Sequence, residues 1–380
     1  MNIEALREKI DKTDEQLVEL FKQRMMVSAE IAEFKRKNNQ PVLDKQRERK
    51  LIERVSRLAG NELETEVRVL YNTVMSLSRS YQNKLLTRNS ELVYEIKTAI
   101  ENTDKVFPER VFVACQGTEG AFSQQVCEKM FAAPNIMFFN SFEGVFAAVD
   151  KGLCSYGVLP LENSSAGSVN HIYDLMFRYD FRIVRSTRIH VEHSLLVKKG
   201  VKLERIKEIY SHEQAINQSS NFLQELEGVK VHICENTAIA AKTVAQSERD
   251  DIAAIASGNC ASIYGLEIAR GSVQNVDNNY TRFICISKKP EIYPGANKTS
   301  LMVVVEHKPG ALYNVISRFH SLGINIIKLE SRPIPGRDFE FMFYFDIDAS
   351  VYSEKFYNIL LQLEAETEEF RYLGSYTEVV

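Results

Sequence analysis

Residues 3–36 read IEALREKIDKTDEQLVELFKQRMMVSAEIAEFKR, and this stretch decides the fold of the first part of the chain. Its apolar residues recur at the spacing of one face of a helix, not in the alternation typical of a strand. The positions that define this face are Leu6, Ile10, Leu17, Phe21, Val27, Ile31 and Phe34. One long helix is therefore predicted here.

Helix-breaking residues separate this helix from two more. The pattern stops at residues 38–41, NNQP, and Asp44 then stands where an N-cap belongs. A second helix is predicted from there to a point near Gly60, and a third from about Glu62 towards Glu91. Residues 1–98 are thus expected to form an all-α domain. Three such helices enclose a poor core alone, so a homodimer or higher homo-oligomer is expected.

Composition narrows the class of protein. The chain has 380 residues, of which 44% are hydrophobic and 26% charged, a length that suggests two or three domains. The net charge of −4 gives no reason to expect nucleic acid or a membrane surface as a partner. No signal peptide or membrane-spanning run is visible. The six cysteines are scattered without a Cys-x-x-Cys pair, which favours a cytoplasmic protein with reduced thiols.

The pattern changes after residues 101–110. Short β-like runs then alternate with helical runs, which is typical of an α/β domain with a mainly parallel sheet. The clearest β-like runs are 111–115, 156–161 and 252–256, and the clearest helical runs are 123–131, 142–151 and 238–245. Residues 288–298 contain Pro290, Pro294 and Gly295 and indicate a linker.

The last segment has a different order of elements. Strands are predicted at 300–306, 324–330, 340–348 and 372–378, with helices at 311–321 and 353–363. A β-α-β-β-α-β order is the ferredoxin-like α+β plan, which small-ligand sensor modules use.

Charged and polar residues form a possible binding set on the N-terminal helices. Arg24 and Lys35 fall within about 20° of each other on the helical wheel and about 16 Å apart along the axis, whereas Arg7 lies on another face. The other members of the set are Asp44, Arg47, Glu48, Ser78 and Gln82. Spacing alone favours the simpler interpretation that these side chains lie on solvated helix faces.

The N-terminal run resembles the all-helical chorismate mutases, in particular the mutase domain of bifunctional P-proteins. The resemblance rests on LREKI at 6–10, QR at 23–24, Lys35, the stretch 44–48 and the pair Ser78 and Gln82. It implies substrate-binding positions at Arg7, Arg24, Lys35, Asp44, Arg47, Glu48, Ser78 and Gln82, with no substitution among them. It also implies that Arg7 reaches into the partner subunit's site.

The implied substrate, chorismate, explains these residue types. This dicarboxylate rearranges to prephenate through a cyclic transition state, with no proton transfer and no cofactor. Bidentate Arg–carboxylate pairs can fold its enolpyruvyl arm over the ring. Lys35 and Gln82 can donate hydrogen bonds to the breaking ether oxygen. Glu48 would hold the ring hydroxyl or, if protonated, donate towards the ether oxygen.

Two central motifs suggest ligands that the sequence does not otherwise support. The glycines of QGTEGAFS at 116–123 lack the third glycine of a dinucleotide fingerprint and the Gly-Lys-Ser/Thr of a P-loop. A turn before a helix N-terminus, able to hold a carboxylate, is the favoured interpretation. His190 and His193 are weak evidence for a metal site, because no third ligand lies nearby in the sequence. No metal site is therefore predicted.

Four central segments together resemble prephenate dehydratases. They are the glycine loop at 116–123, LPLENSSAGSV at 159–169, SHEQ at 211–214 with Gln218, and NYTRF at 279–283. The resemblance implies two α/β lobes over residues 108–288, with the substrate in the cleft between them. It implies Thr281 and Glu162 as catalytic residues. The implied binding or supporting residues are Asn163, Gln218, Phe283, Arg282, His193, Ser211 and His212.

The implied second reaction is a decarboxylative dehydration. Prephenate would lose its ring carboxylate as carbon dioxide and its C4 hydroxyl as water, driven by aromatisation and without a cofactor. A threonine hydroxyl is a poor acid, so Thr281 is expected to position or relay the proton. Glu162 would supply that proton if an apolar cleft raised its pKa; otherwise it is a turn carboxylate. Arg282 would anchor the pyruvyl carboxylate or form a structural ion pair.

Two motifs in the last segment match the phenylalanine-binding motifs of the ACT domain in this enzyme family. They are HKPGAL at 307–312 and ESRP at 330–333, within a domain expected over residues 298–380. The implied effector is L-phenylalanine, with its carboxylate at the helix N-terminus. The implied positions are Gly310, Ala311, Leu312, Glu330, Ser331, Arg332 and Pro333. Without the match, Gly310 would be a simple turn and Arg332 a surface ion pair.

The sequence thus predicts a bifunctional isomerase and carbon–oxygen lyase of phenylalanine biosynthesis, inhibited by its end product. A non-catalytic amino-acid sensor is one alternative, but it would not need Lys35, Arg47 and Gln82 together. A mutase fused to a prephenate dehydrogenase is another, but it would need a dinucleotide-binding βαβ unit. Acceptance of arogenate and decay of one activity stay open.

Overall fold

The computed structural model describes residues 2–86, 90–337 and 340–379. The chain forms two compact units. The helical unit comprises the chain up to Tyr94 with residues 308–323 and 352–370. The sheet unit comprises residues 95–307, residues 324–351 and the chain from Arg371 on.

Helices and strands alternate through most of the chain. The helices are α1 (Ile3–Lys37), α2 (Lys45–Leu86), α3 (Glu91–Asn102), α4 (Phe122–Met130), α5 (Phe142–Asp150), α6 (Asn170–Arg178), α7 (Glu213–Gln218), α8 (Ser220–Gln224), α9 (Thr237–Gln246), α10 (Asn259–Tyr264), α11 (Ala311–Ser321) and α12 (Glu354–Glu366). The strands are β1 (Phe112–Gln116), β2 (Asn135–Phe139), β3 (Tyr156–Asn163), β4 (Gly167–Ser168), β5 (Arg182–His190), β6 (Ser194–Val197), β7 (Glu208–Ser211), β8 (Lys230–Ile233), β9 (Ile252–Ala256), β10 (Glu267–Arg270), β11 (Tyr280–Ser287), β12 (Lys298–Val304), β13 (Asn325–Pro333), β14 (Phe341–Asp348) and β15 (Glu369–Val379). In the described ranges, no helix combines the length and the apolar composition needed to cross a membrane.

The N-terminal helices begin and end close to the predicted positions. Asp44 caps α2, because its Oδ1 accepts a hydrogen bond from the Arg47 backbone N–H at 2.9 Å. Gly60 interrupts α2 with φ 71° and ψ 172°, a conformation that glycine adopts without a steric penalty. The predicted order of three helices is confirmed, except that residues 87–89 of the third helix lie outside the described residues.

The first sheet of the sheet unit is mixed. β1 is parallel to both β2 and β3, but β11 runs antiparallel between β3 and β5. The prediction of a mainly parallel sheet is therefore wrong. The sequence could not show this, because a strand buried on both faces has the same apolar run in either direction.

The second sheet has the strand order β10-β6-β9-β7-β8. The chain crosses between the two sheets twice, through residues 191–193 and through residues 271–279. Backbone hydrogen bonds join these crossovers: Val191 N–H to Asn279 O at 2.7 Å, and Val273 N–H to His193 O at 2.8 Å. The junction of the sheets therefore brings together residues that are distant in sequence.

The last segment has the predicted β-α-β-β-α-β order, and its strands lie in the order β13-β14-β12-β15. β15 also pairs in parallel with β5, with Thr377 opposite Arg185, so that these strands extend the first sheet. Gly374 permits this approach, because a Cβ at that position would lie 2.2 Å from the Ile183 carbonyl oxygen.

Residues 288–298 are packed into the sheet unit and do not form an exposed linker. Ile292 is 2% exposed and Ala296 is 1% exposed. The Ile292 backbone N–H donates to the Thr103 hydroxyl at 3.0 Å. Proline and glycine indicate a change of chain direction, which a packed connection requires as much as an exposed one.

Candidate active sites

Arg24 of α1 and Ser78 of α2 meet inside the helical unit. Nη1 of Arg24 donates to the Ser78 hydroxyl, whose oxygen also lies 2.9 Å from the Ser28 hydroxyl oxygen. Burial lowers the pKa of Arg24, while nearby Tyr71 acts in the opposite direction. A guanidinium remains charged in proteins, so this contact places a half-buried cation beside Ser78.

Lys35 lies beside the segment that leads into α2. Its ammonium group donates to the carbonyl oxygen of Val42, two residues before Asp44. Arg47 is exposed in the first turn of α2, and Arg7 is exposed on α1. The structure thus brings Lys35 to the N-terminal end of α2, where Asp44 and Arg47 lie.

Glu48 and Gln82 lie towards opposite ends of α2. Arg79 donates a hydrogen bond to Oε1 of Glu48. Gln82 is 7% exposed, and its Oε1 is buried with no hydrogen-bond partner among the described residues. Because buried polar atoms are normally paired, an orphaned one indicates strain or a ligand site.

Asn163 of β3 and Thr281 of β11 lie opposite each other in the first sheet. Nδ2 of Asn163 donates to Thr281 Oγ1 at 2.9 Å and to Asn279 Oδ1 at 2.8 Å. Oδ1 of Asn163 accepts from the backbone N–H groups of Ser165 and Ala166, which fixes the amide. Because the Thr281 oxygen accepts one of these bonds, its hydroxyl hydrogen is available to a ligand.

His193 and Gln218 continue this network at the crossover between the sheets. Gln218 Oε1 accepts from Asn279 Nδ2 and lies 3.1 Å from His193 Nε2. An amide oxygen only accepts, so Nε2 of His193 carries the proton. His193 Nδ1 and Gln218 Nε2 are buried without partners among the described residues. Burial lowers the pKa of His193 despite the bond to Gln218, so the imidazole is neutral at pH 7.

Three other predicted residues surround this network. Ser211 is fully buried and donates to the Ile255 carbonyl oxygen at 2.6 Å. His212 caps α7 by accepting from the Gln214 N–H, and burial lowers the pKa of His212. Phe283 is 3% exposed and belongs to an apolar core. These residues hold the elements that carry the network.

Glu162 and Arg282 point to the opposite face of the sheet. Nη1 of Arg282 donates to Glu162 at 2.9 Å, and Nη2 donates to Asp346 of β14. Lys328 of β13 also donates to Glu162. Neighbouring side chains of a strand alternate between faces, so this ion cluster is separated from Thr281 by the sheet. Of the two roles considered for Arg282, the structure shows the ion pair.

The pKa of Glu162 is lowered. Burial acts to raise it, but the hydrogen bond from Lys328 and the charges of Arg282 and Lys328 outweigh burial. The hypothesis that Glu162 supplies the proton required a raised pKa in an apolar cleft, and this condition is not met. The sequence could not indicate the lowered pKa, because Lys328 is distant from Glu162 along the chain and comes next to it only through packing.

This ion cluster predicts a loss of stability in acid. A carboxyl whose pKa is lower in the folded chain stabilises it fully above the unfolded value of about 4.3 and progressively less as the pH falls towards the folded value. We expect the free energy of unfolding in urea, measured between about pH 3 and pH 7, to fall more steeply in acid for the wild type than for Glu162→Gln. Glu227→Gln, at an exposed position, should follow the wild type. Parallel curves for all three proteins would contradict the expectation.

The two motifs of the last segment lie in different units. Gly310 has φ 83° and caps α11 in the helical unit. In the sheet unit, Glu330 accepts from the Ser168 hydroxyl, and Arg332 forms a bidentate ion pair with Asp174 at 3.1 and 2.9 Å. The remaining predicted positions are Ala311 and Leu312 in the first turn of α11, and Ser331 and Pro333 at the end of β13.

Comparison with known proteins bears on both units. A family model described as chorismate mutase type II matches residues 6–83, and one described as prephenate dehydratase matches residues 113–291. The bifunctional chorismate mutase/prephenate dehydratase of Escherichia coli (strain K12) is 30% identical over 381 residues, covering 98% of this chain and 95% of that protein. The chain belongs to the bifunctional chorismate mutase/prephenate dehydratase family.

Two further similarities place this chorismate mutase/prephenate dehydratase among related enzymes. Arogenate dehydratase/prephenate dehydratase 2 of Arabidopsis thaliana is 36% identical over 311 residues, covering 78% of this chain and 81% of that protein. The prephenate dehydratase from Arthrobacter aurescens, whose crystal structure was solved in complex with L-Phe, has 26% sequence identity to this chain. The two structures superpose with a TM-score of 0.65 over 70% of this chain and 90% of that chain.

Sequence reasoning missed four residues of this chorismate mutase/prephenate dehydratase that contact the predicted ones. Asn279 joins Asn163 to Gln218 and stands inside the NYTRF motif, so its place there was a usable signal. Lys328 and Asp346 contact Glu162 and Arg282 only because the C-terminal strands extend the first sheet. Arg79 follows Ser78 directly, and nothing in the spacing indicated its contact with Glu48.

Proposed function

We propose that the two reactions of this enzyme take place at separate sites, one in each compact unit. The mutase domain comprises residues 1–98, the dehydratase domain residues 108–288 and an ACT regulatory domain residues 298–380. The ranges matched by the two family models support the first two domains. The observation that carries the dehydratase site is the hydrogen bond from Asn163 to Thr281 where the two sheets meet.

In the mutase site, cations bind the two carboxylates of chorismate and donors stabilise its breaking ether bond. Arg24, Arg47 and Arg7 of the partner subunit bind the carboxylates and fold the enolpyruvyl arm over the ring. Lys35 and Gln82 donate to the ether oxygen as negative charge develops there.

Two further mutase residues act by orienting these cations. The contact of Ser78 with Arg24 and the capping of α2 by Asp44 beside Arg47 support this role. Pre-oriented charges need not reorganise during the rearrangement, which is how a rigid site lowers the barrier.

In the dehydratase site, Thr281 directs its hydroxyl hydrogen towards the C4 hydroxyl of prephenate. The bond from C1 to the carboxylate breaks and carbon dioxide leaves. Its electron pair enters the ring, and the C4–O bond breaks as a proton from solvent, relayed through the Thr281 hydroxyl, joins the departing hydroxyl to form water. Asn163 holds the oxygen of Thr281, which leaves the hydroxyl hydrogen to the leaving group.

His193 and Gln218 bind the polar groups of prephenate in this site. The orphaned acceptor of His193 and the orphaned donor of Gln218 support the assignment, because a ligand would satisfy both. Ser211 and His212 position Gln218, since they hold the start of the helix that ends at Gln218.

L-Phenylalanine inhibits the dehydratase through the ACT domain. The left-handed cap at Gly310 and the structure of a related dehydratase with L-Phe support this proposal. Glu330 and Lys328 of β13 contact Ser168 and Glu162, and Glu162 is the neighbour of Asn163 on β3. A ligand that draws Glu330 away from Ser168 would therefore disturb the strand that carries Asn163.

The enzyme is at least a homodimer that forms through α1. Apolar side chains on one face of this helix are exposed in the single chain: Ile10 59%, Leu17 55%, Val27 53%, Ile31 42% and Phe34 61%. An apolar face of this extent marks a protein–protein contact, and a second α1 of the same pattern would cover it. Sedimentation equilibrium should give at least twice the chain mass of 43.4 kDa.

The enzyme works in the cytoplasm. All six cysteines are free thiols in the structure, which suits a reducing compartment.

A product assay tests these assignments together. Purified enzyme given chorismate should form phenylpyruvate without an added cofactor, and L-phenylalanine should suppress this. Accumulation of prephenate would contradict the dehydratase site, and no turnover of chorismate or prephenate would favour a sensor. A parallel assay supplies arogenate and measures the formation of phenylalanine. It shows whether the dehydratase site accepts this amino-acid analogue of prephenate as well.

A further inference from the structure

Arg79 lies in the helical unit and has no role in the mutase reaction as proposed above. Its guanidinium donates to Oε1 of Glu48, which lies in the first turn of α2, while Arg79 lies beyond the break at Gly60. The side chains are only partly exposed, 21% for Arg79 and 28% for Glu48. This contact therefore fixes the carboxylate of Glu48 from the opposite end of a broken helix.

The charge of Arg79 also acts on a second carboxylate. Glu366 ends α12, and burial raises its pKa while the charges of Arg318 and Arg79 act to lower it. Arg79 thus donates to Glu48 of the predicted mutase set, whereas Glu366, outside that set, is held by Arg318.

Arg318 of α11 links the end of α12 to the turn of α2 that precedes Arg79. It is 4% exposed and donates to both carboxylate oxygens of Glu366 and, at 3.0 Å, to the Ser76 carbonyl oxygen. Ser76 lies two residues before Ser78 and three before Arg79. The C-terminal helices therefore brace the turn of α2 that carries Ser78 of the mutase site and Arg79.

We infer that Arg79 is a positioning residue for the rearrangement of chorismate, acting through Glu48, and that Arg318, held by Glu366, braces the turn of α2 that leads to Arg79. With Oε1 held by Arg79, Oε2 of Glu48 accepts the hydrogen bond of the ring hydroxyl. This assigns Glu48 the acceptor role and not the role of a donor to the ether oxygen. The inference rests on the proposed mutase site and deepens it.

The test compares variants of the full-length chain in steady-state chorismate turnover. Arg79→Met should lower kcat/KM by about 10- to 100-fold, because a displaced carboxylate misplaces the ring. Arg79→Lys should recover part of the loss, since an ammonium still donates to Oε1. Arg68→Met is the matched control: Arg68 is also on α2, but it is half exposed and pairs with Glu64 one turn earlier. It should behave as the wild type.

A double-mutant cycle separates positioning from a general structural role. If Arg79 acts through Glu48, the variant carrying Arg79→Met and Glu48→Gln should be no slower than Glu48→Gln alone. Losses that multiply in the double variant would overturn the inference, as would equal kcat/KM for Arg79→Met and Arg68→Met. Glu366→Gln should give a smaller loss than Arg79→Met, and wild-type kinetics for it would overturn the bracing by α12.

Two checks separate an effect on the mutase reaction from a loss of folding. Far-UV circular dichroism and thermal unfolding, measured on the same preparations, report whether the helical unit of each variant is folded. If Arg79→Met is recovered unfolded, Arg79→Gln, which keeps a neutral donor, takes its place in the cycle. A wild type without mutase activity would refute the proposed site itself, whereas an active wild type beside an unaffected Arg79 variant refutes only the positioning role.

Discussion

Thr281→Ala is expected to slow the turnover of prephenate by about 100- to 10,000-fold, the usual contribution of a positioned proton-transfer group. The reason is geometric. Asn163 holds the threonine oxygen and leaves its hydrogen for the departing hydroxyl, and alanine removes that hydrogen without altering the strand. Given chorismate, the variant should accumulate prephenate, measured by loss of chorismate absorbance and chromatography of the products.

Thr281→Ser is the control for this experiment. Serine keeps a hydroxyl within reach of Asn163, so most of the activity should remain. Thr281→Ala with wild-type kcat on prephenate would remove Thr281 from the reaction. Slow turnover in both variants would mean that the methyl group matters more than the hydroxyl.

Lys35→Ala is expected to lower mutase kcat by about 100- to 1,000-fold, the typical cost of removing one donor to a developing negative charge. The ammonium group lies at the N-terminal end of α2 and donates to a backbone oxygen there, so chorismate would take over that donor. Turnover of added prephenate should stay at the wild-type rate, because Thr281 and its partners belong to the other compact unit.

Lys37→Ala controls for the loss of charge on α1. Lys37 lies two residues further on, is exposed, and pairs with Glu33 at 3.0 Å. Its removal should leave both activities intact, because an exposed pair of this kind contributes little to stability. If Lys35→Ala lost both activities, the proposal of two separate sites would fail.

The helical part of the fold was the most predictable from sequence. Helical spacing, the cap at Asp44 and the break at Gly60 are local signals, and all three appear in the structure. The direction of each strand in the sheet depends on contacts between distant segments, and so does the packing of residues 288–298. For that reason, the antiparallel course of β11 and the burial of Ile292 did not follow from the local pattern.

The dehydratase network was predictable in part. Asn163, Thr281, Gln218 and His193 were identified from motifs, and hydrogen bonds through Asn279 bring them together. Glu162 was grouped with them because it precedes Asn163 directly. Adjacent residues of a strand face opposite sides, so membership of one motif did not imply membership of one site.

The pairing of β15 with β5 has a consequence for shortened forms of this enzyme. Ending the chain before β15 would strip hydrogen-bond partners from β5 around residues 185–187 and leave an unprotected strand edge. Such edges recruit other chains and promote aggregation. Truncation before β15 is therefore expected to lower the solubility of the enzyme.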